Sequence, residues 1–196
     1  MTNVVFMWCR HKGDNIIGVD GRLPWCIKSD SEHFWRVVQN ENVVCGRKTY
    51  ESFPEELSAL KKIFVFSLQK DFVVRNSASH IVITSQKQLE DYLSEEDDIY
   101  VAGGAEIYKL FMEGKEKFKP HIVVDCVYEG NIKTEGAVVA EISDCISVLE
   151  KKYRKITPDY CADNVASAIW VRKGEFVEQK ILKKVLAILE KDAIIR

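Results

Sequence analysis

Residues 43–52 have the sequence Val-Val-Cys-Gly-Arg-Lys-Thr-Tyr-Glu-Ser. The apolar run Val43–Cys45 predicts a short strand that is covered on both faces. A glycine follows, and the spacing after it predicts a helix over Arg47–Ser52. Backbone N–H groups at a helix start, next to two cations and a threonine, favour the oxygens of a phosphate. The alternative is that the two cations are solvated residues at a helix end.

A second stretch, Ile99–Tyr108, repeats this order of strand, glycine and helix. The adjacent glycines Gly103 and Gly104 let a ligand approach the backbone, and the helix start again favours an anion. Alone, the two glycines could form only a turn, and no GxGxxG motif follows the first strand. Two anion sites of this kind together predict a ligand with several phosphates.

Apolar runs alternate with amphipathic stretches along most of the chain, which predicts an α/β fold with a mostly parallel central sheet and helices on both faces. The predicted strands are Val4–Cys9, Val43–Cys45, Ile63–Ser67, His80–Ile83, Ile99–Ala102 and His121–Tyr128. The predicted helices are Asp30–Gln39, Arg47–Ser52, Gln86–Leu93 and Ala105–Met112. Near the end, Tyr153–Ile156 and Ala166–Val171 predict a C-terminal antiparallel hairpin.

The segment Glu175–Arg196 has apolar residues at three- and four-residue intervals, which predicts an extra C-terminal amphipathic helix. We expect it to dock on its own domain, and the alternative is a dimerisation element. The predicted division is therefore a domain over residues 1–173 and a helical extension over 174–196. A monomer is expected, with a dimer through the C-terminal helix as the alternative.

Composition narrows the class of protein. The chain has 196 residues and a mass of 22.5 kDa, which allows one full core. Its formal net charge of −2 gives no general attraction to nucleic acid or to a membrane. The start lacks the pattern of a signal peptide, and no apolar stretch approaches the roughly 20 residues that span a bilayer. The six cysteines form no CxxC pair, so we expect a reduced, cytoplasmic protein without a metal site.

The stretch Leu23–Phe34 places one carboxylate, Asp30, among apolar and aromatic residues. Asp30, Glu32 or Ser29 could simply cap the helix that is predicted to start there. Beside two phosphate sites, however, a carboxylate in an aromatic pocket suits a flat, nitrogen-rich heterocycle. The combination predicts that a nucleotide binds next to such a ring.

In these motifs the chain resembles dihydrofolate reductase. The matching segments are Ile17–Trp25, Asp30 with Phe34, Gly46–Ser52 and Gly103–Tyr108, in family order over residues 3–173. The resemblance implies NADPH-dependent reduction of 7,8-dihydrofolate to 5,6,7,8-tetrahydrofolate in one-carbon metabolism. Hydride transfer would go to pterin C6, and N5 would be protonated.

The resemblance also implies a role for each matching position. Asp30 and Trp25 would be catalytic, with Asp30 on the pterin ring and its pKa raised by burial. The implied substrate-binding residues are Met7, Asp30, Phe34, Phe53, Lys61, Ala102 and Tyr108. The implied cofactor-binding residues are Cys9, Ile17, Gly18, Gly21, Leu23, Gly46, Arg47, Lys48, Thr49, Ser67, Leu68, Gly103, Gly104, Ala105, Glu106 and Ile107. Residues 18–25 would form a mobile loop, and the Gly103–Gly104 peptide would be cis.

Two positions depart from the family pattern. Lys61 is the nearest candidate for an arginine that clamps the carboxylate of the folate tail, and lysine lacks the planar fork of arginine. Ile122 or Val123 occupies the place of a threonine whose hydroxyl bonds the pocket carboxylate. These departures leave two alternatives open. One is a reductase of another pterin or pyrimidine, and the other is a weakly catalytic nucleotide-binding module whose terminal helix recruits a partner.

Overall fold

The computed structural model describes residues 2–55, 60–93 and 97–190, and the backbone of residues 194–195. Its helices are α1 (Lys28–Val37), α2 (Arg47–Ser52), α3 (Gln86–Tyr92), α4 (Ala105–Glu113), α5 (Ser143–Lys152) and α6 (Gln179–Glu190), with a 3-10 helix over Glu116–Phe118. Its strands are β1 (Val4–His11), β2 (Ile16–Val19), β3 (Asn42–Gly46), β4 (Lys62–Phe66), β5 (His80–Ile83), β6 (Ile99–Val101), β7 (Ile122–Tyr128), β8 (Val139–Glu141), β9 (Tyr153–Lys155), β10 (Tyr160–Ala162), β11 (Val165–Arg172) and β12 (Ile194–Ile195).

The main sheet has the strand order β12-β10-β11-β7-β1-β6-β3-β4-β5, with β9 paired to β11. All the pairs from β7 to β5 are parallel, whereas β11 runs antiparallel to β7, β9 and β10. The predicted α/β class and the C-terminal antiparallel hairpin are confirmed. The carboxyl ends of β3 and β6 meet at one edge of the sheet, so both glycine motifs lie there.

Helices cover both faces of this sheet. One layer contains α1, α2 and α6, and its buried side chains include Val37, Tyr50 and Val185, one from each helix. The opposite layer contains α3, α4 and α5, and its buried side chains include Leu89 and Phe111. Alternation along β1 assigns its residues to the two layers, because successive side chains of a strand point to opposite faces.

The C-terminal helix begins and ends inside the predicted range. The predicted extra C-terminal helix is confirmed, but it is shorter than the predicted 175–196, because α6 spans Gln179–Glu190 and Ile194–Ile195 form a strand. That strand pairs with Tyr160 and Cys161 of β10. Pairing satisfies the backbone groups that β10 would otherwise present at the sheet edge. Residues 191–193 and 196 lie outside the described part of the chain.

Helix α6 packs on the same core as the sheet. Ile181, Val185 and Leu189 recur every four residues and are buried against the layer that contains α1. Lys184 extends this contact, since its Nζ lies 2.6 Å from Glu41 Oε1. The described helix therefore covers part of its own sheet with its apolar stripe. The division of the chain between residues 173 and 174 stays a prediction.

Helix α5, the 3-10 helix and strands β2, β8, β10 and β12 were not predicted. Helix α5 buries Cys145, Ile146 and Leu149, whose helical spacing was available as a signal. Strands β2 and β8 form a separate two-stranded sheet, and their few residues are too short for a periodic pattern. No helix in the described residues is long and apolar enough to cross a membrane.

Candidate active site

Asp30 lies in the first turn of α1 and faces the sheet. The helix begins at Lys28 and its N-cap is Ile27, which makes no side-chain cap bond. The capping interpretation of Asp30, Ser29 or Glu32 is therefore wrong. Burial raises the pKa of Asp30 to about 6, while hydrogen bonding to Cys9 and the nearby Trp25 indole act in the opposite direction. A carboxylate with such a pKa changes its protonation close to neutral pH.

Trp25 brings an unused hydrogen-bond donor to Asp30. Its side chain is buried, and its ring centroid lies 4.8 Å from that of Tyr128 on β7. Within the described part of the chain Trp25 Nε1 has no hydrogen-bond partner, although it lies close enough to lower the pKa of Asp30. A buried N–H without a partner is costly, so this donor suits a bound ligand or an ordered water.

Aromatic side chains form one wall next to Asp30. The Phe34 ring centroid lies 4.8 Å from that of Trp35 and 6.0 Å from that of Phe53. Trp35 also contacts Phe53 edge-on, at 5.1 Å. The sequence predicted Phe34 and Phe53 but missed Trp35, whose signal was its place beside Phe34. This wall offers the apolar surface that a flat ring needs.

Met7 and Ala102 belong to neighbouring strands: Met7 lies within β1, and Ala102 directly follows β6. Met7 is buried, and its carbonyl accepts a hydrogen bond of 2.5 Å from the Tyr108 hydroxyl. Ala102 is half-buried, and its N–H donates to Val44 O at 2.9 Å, which leaves its carbonyl at the end of β6. Tyr108 therefore positions the Met7 carbonyl, which retains a second lone pair for another donor.

The two glycine motifs are in direct contact. Gly46 N donates to Gly103 O at 2.7 Å, and the Gly103–Gly104 peptide is cis. Gly103 has φ +100°, and a Cβ there would lie 3.0 Å from the Tyr108 ring. A Cβ on Gly104 would lie 3.5 Å from Thr49 Oγ1. The backbones thus form a close-fitting surface that only glycine allows at position 103.

This surface fits a phosphate group. The N-caps of α2 and α4 are Gly46 and Gly104, and neither makes a side-chain cap bond. Ala105 and the buried Ile107 continue α4, whereas Glu106 is exposed and points to solvent. The described residues near these two helix starts include the cations Arg47 and Lys48, so anionic oxygens would meet both N–H groups and positive charge.

Arg47 already has an acidic partner in the protein. Its Nη1 lies 2.8 and 3.0 Å from the two carboxylate oxygens of Glu51, one turn later in α2. This competitor for a bound phosphate was not predicted, although the spacing of four residues indicates such a pair. At the end of β4, Ser67 is buried and its Oγ accepts from Gln69 N at 3.2 Å, while Leu68 is 88% exposed.

The predicted mobile loop, residues 18–25, is tied to a second segment. Ile17 and Gly18 lie in β2, which pairs with β8, and Gly21 has φ +78° in the turn that follows. Asp20 accepts a hydrogen bond from Val138 N at 3.0 Å and donates its own N–H to Val138 O at 2.8 Å. Leu23 is half exposed at the tip. Nothing in the sequence pattern predicted the Asp20 contact.

The structure shows the surroundings of the two positions that depart from the family pattern, Lys61 and the pair Ile122 and Val123. Lys61, directly before the start of β4, is already in an ion pair, because its Nζ lies 2.7 Å from Asp97 Oδ1. Ile122 is fully buried and lies in the α1 layer, whereas Val123 faces the opposite layer. Ile122 is therefore the apolar residue on the face where Asp30 lies. Trp8 lies in the core, and its Nε1 donates to Asp125 Oδ1 at 2.7 Å.

Comparison with known proteins gives a consistent family. The family model described as dihydrofolate reductase matches residues 3–134. Dihydrofolate reductase of Enterococcus faecium is 33% identical over 128 residues, which cover 65% of this chain and 74% of that protein. The enzyme of Mycobacterium leprae is 31% identical over 112 residues, which cover 56% of this chain and 66% of that protein.

A solved structure extends the similarity beyond the family match. Dihydrofolate reductase from Enterococcus faecalis, complexed with NADP(H) and RAB-propyl, superposes with a TM-score of 0.65. The match covers 87% of this chain and 96% of that one, at 16% sequence identity. At such low identity the likeness concerns the fold, and it reaches well past residue 134.

Proposed function

The chain belongs to the dihydrofolate reductase family, and we propose on that premise that the Asp30 site reduces 7,8-dihydrofolate with NADPH. The observation that supports this most is the group around Asp30: a buried carboxylate of raised pKa, an aromatic wall, and an indole N–H without a partner among the described residues. The products are tetrahydrofolate and NADP⁺. One hydride adds to C6 and one proton to N5 of the pterin, so the C6–N5 double bond becomes a single bond.

Asp30 binds the pterin in this proposal. Its two carboxylate oxygens accept from a ring N–H and the neighbouring amino group, because a planar pair of donors suits a carboxylate. The Met7 and Ala102 carbonyls accept from the same amino group. Phe34 packs on the ring and Phe53 on the adjoining benzoyl group. These five residues, on four separate segments of the chain, then define one orientation of the ring, which is the main contribution of a protein to such a transfer.

The phosphate surface holds the cofactor. Bound NADPH supplies the hydride, and the protein aligns it and excludes water. Lys48, Thr49 and the Gly103–Ile107 turn hold the pyrophosphate. Arg47 and Ser67 contact the 2′-phosphate, which favours NADPH over NADH because NADH lacks that charge. Cys9, Ile17 and residues 18–25 border the nicotinamide.

Asp30 and Trp25 together deliver the proton. The Trp25 N–H has no protein partner among the described residues and lies near the carboxylate, so the two side chains can hold one water between them. Asp30 itself does not touch N5 in this proposal. Its raised pKa keeps a proton available close to neutral pH.

The test follows NADPH oxidation at 340 nm with purified protein and dihydrofolate. We expect steady turnover, and we expect Asp30→Asn to lose about 10²- to 10⁴-fold in kcat/KM. Asp91→Asn, an exposed aspartate on α3, is the matched control and should retain full activity. If the wild-type rate does not exceed that of Asp30→Asn, the proposed function is wrong.

One observation favours a second substrate class. Because Lys61 is paired with Asp97, the site lacks an uncommitted cation for the folate tail at this position. A reductase of a pterin without the glutamate tail is therefore the second candidate. Equal turnover of dihydrofolate and dihydrobiopterin would favour it, and a strong preference for dihydrofolate would exclude it.

We propose that the protein is a monomer and that it is located in the cytoplasm. A monomer is supported by α6, whose apolar stripe is buried on its own sheet. Light scattering should give a mass near 22.5 kDa, and twice that mass would contradict the monomer. The cytoplasmic location agrees with the free cysteines of the described chain, and fractionation of source cells would test it.

A further inference from the structure

Arg75 binds the carboxyl-terminal end of helix α2. Its Nη1 donates to Phe53 O at 2.9 Å and to Pro54 O at 2.8 Å. Its Nη2 donates to Tyr50 O at 3.2 Å and to Glu51 O at 2.9 Å. The guanidinium carbon also lies 5.0 Å from the centroid of the Tyr50 ring. A planar guanidinium, with several N–H groups in fixed directions, is the side chain that can reach four carbonyls at once.

These bonds complete the end of a helix that has no cation of its own there. The last carbonyls of a helix have no partner inside it. In α2, Ser52 Oγ donates to Thr49 O at 2.7 Å. Phe53 N donates to Tyr50 O at 3.1 Å. The last turn of α2 contains no basic residue, although positive charge is favourable at that position. Arg75 supplies this charge from a different segment of the chain.

The backbone of Arg75 is fixed independently of its side chain. Arg75 N donates to the Tyr50 hydroxyl at 2.7 Å, and that hydroxyl lies 2.7 Å from His80 Nδ1. Tyr50 and His80 are both buried. Arg75 lies between β4 and β5, so this contact attaches the connection between these strands to α2. Loss of the guanidinium alone therefore leaves the connection in place.

Phe53 is the member of the aromatic wall that comes from the end of α2, whereas Phe34 and Trp35 belong to α1. Its ring centroid lies 6.0 Å from that of Phe34 and 5.1 Å from that of Trp35. Both backbone polar groups of Phe53 are bonded, the N–H to Tyr50 O and the carbonyl to Arg75. The position of this ring against α1 therefore depends on how firmly the end of α2 is held.

We propose that Arg75 is a positioning residue for the substrate, because it holds the end of α2 so that Phe53 keeps its place in the aromatic wall. The inference rests on the proposed function, in which Phe53 packs on the benzoyl group of dihydrofolate. Arg75 acts on the substrate through Phe53. Ordering this contact before the substrate arrives lowers the entropy cost of binding. Removal of the guanidinium should therefore weaken the binding of dihydrofolate and leave the chemical step unchanged.

Hydrogen exchange tests the positioning in the substrate-free, full-length protein. Arg75→Ala removes the four guanidinium bonds, so the Phe53 amide should exchange about tenfold faster, as measured by NMR. Arg75→Lys has one nitrogen in place of the planar fork and should give a smaller increase. Arg154→Ala, at an exposed arginine of β9, is the matched control and should leave the exchange unchanged.

Kinetics test the consequence for the substrate. We expect KM for dihydrofolate to rise about 3- to 10-fold in Arg75→Ala, while kcat changes by less than about twofold. A variant that was merely unfolded in part would lose kcat at an unchanged KM. In a Phe53→Ala background, Arg75→Ala should have no further effect on KM, because no ring remains to be positioned.

Different outcomes overturn this inference and the proposed function. The role of Arg75 is wrong if folded Arg75→Ala has an unchanged exchange rate at Phe53 or an unchanged KM for dihydrofolate. A full further rise of KM in the Phe53→Ala background would also overturn it. If the alanine variant does not fold, wild-type exchange and KM in Arg75→Lys would overturn it instead. A wild-type protein without reductase activity would end the proposed function, while hydrogen exchange would still test whether Arg75 holds Phe53.

Discussion

Asp30 lowers the stability of the folded protein at neutral pH. Its pKa rises from an ordinary value of 3.8 to about 6, because burial disfavours the charged form. The folded state therefore binds its proton more tightly than the unfolded state between these values. It follows that the free energy of unfolding falls as pH rises from about 4 to about 6, and the loss is complete above that range.

Asp30→Asn should therefore stabilise the ligand-free protein while it impairs catalysis. We expect the free energy of unfolding to rise by about 1–3 kcal/mol at pH 8, with a smaller gain at pH 5. Urea unfolding at the two pH values measures this difference. The control is Asp91→Asn, which should change stability equally little at both. A variant that is less stable than the wild type at pH 8 would contradict the raised pKa.

Arg47 and Glu51 should have opposite effects on the choice of cofactor. Arg47→Ala removes a cation for the 2′-phosphate, so KM for NADPH should rise about 10- to 100-fold while KM for NADH changes little. Glu51→Gln releases Arg47 from its ion pair and should lower KM for NADPH. Steady-state kinetics with both cofactors checks this. If Arg47→Ala raised KM for NADPH and KM for NADH equally, Arg47 would not be the residue that binds the 2′-phosphate.

For single residues, the sequence indicated which kind of ligand a side chain suits better than it indicated which residues that side chain contacts. The types and order of Asp30, Arg47 and Gly103 were informative, because each has few physical uses in its setting. Their partners depend on distances that the sequence does not contain. The pair of Lys61 with Asp97, for example, needs β4 and β6 in one sheet.

The contribution of α6 to stability can be measured with two substitutions, one on its buried side and one on its exposed side. Ile181→Ala should lower the free energy of unfolding by about 2–4 kcal/mol, because a buried side chain leaves a cavity. Lys183→Ala, on the exposed side of the same helix, should change it by less than about 0.5 kcal/mol. Urea unfolding compares the two variants. Similar small losses in both would show that α6 does not pack on the sheet in solution.

Elements with continuous apolar runs or clear helical spacing were predictable. Strand β5 and helix α2 were predicted at their observed bounds, since each has a distinct pattern and glycine or polar residues beside it. Strands β2, β8 and β12 have two to four residues and acquire their form only by pairing with a partner. No local pattern could have specified them.

At the scale of the whole molecule, the sheet brings the separate motifs together. Parallel strands place the ends of β3, β4 and β6 at one edge, and the crossovers place α1 over the centre of the sheet. The proposed ligand site is therefore between the Asp30 carboxylate on α1 and the glycine turns at the strand ends, a usual location in open α/β sheets. Alternation of strands and helices predicted this arrangement, and the apolar spacing of the C-terminal segment predicted that its helix docks on its own domain. Neither pattern predicted that β12 joins the sheet.

We propose that this site moves a hydride from NADPH to pterin C6. A single-turnover reaction with NADPH deuterated at both C4 positions tests it, with the position of the label in tetrahydrofolate read by NMR. We expect one deuteron at C6, none at C7, and no labelled product from Asp30→Asn on the same timescale. Tetrahydrofolate without the label, or no product from the wild-type protein, would contradict it.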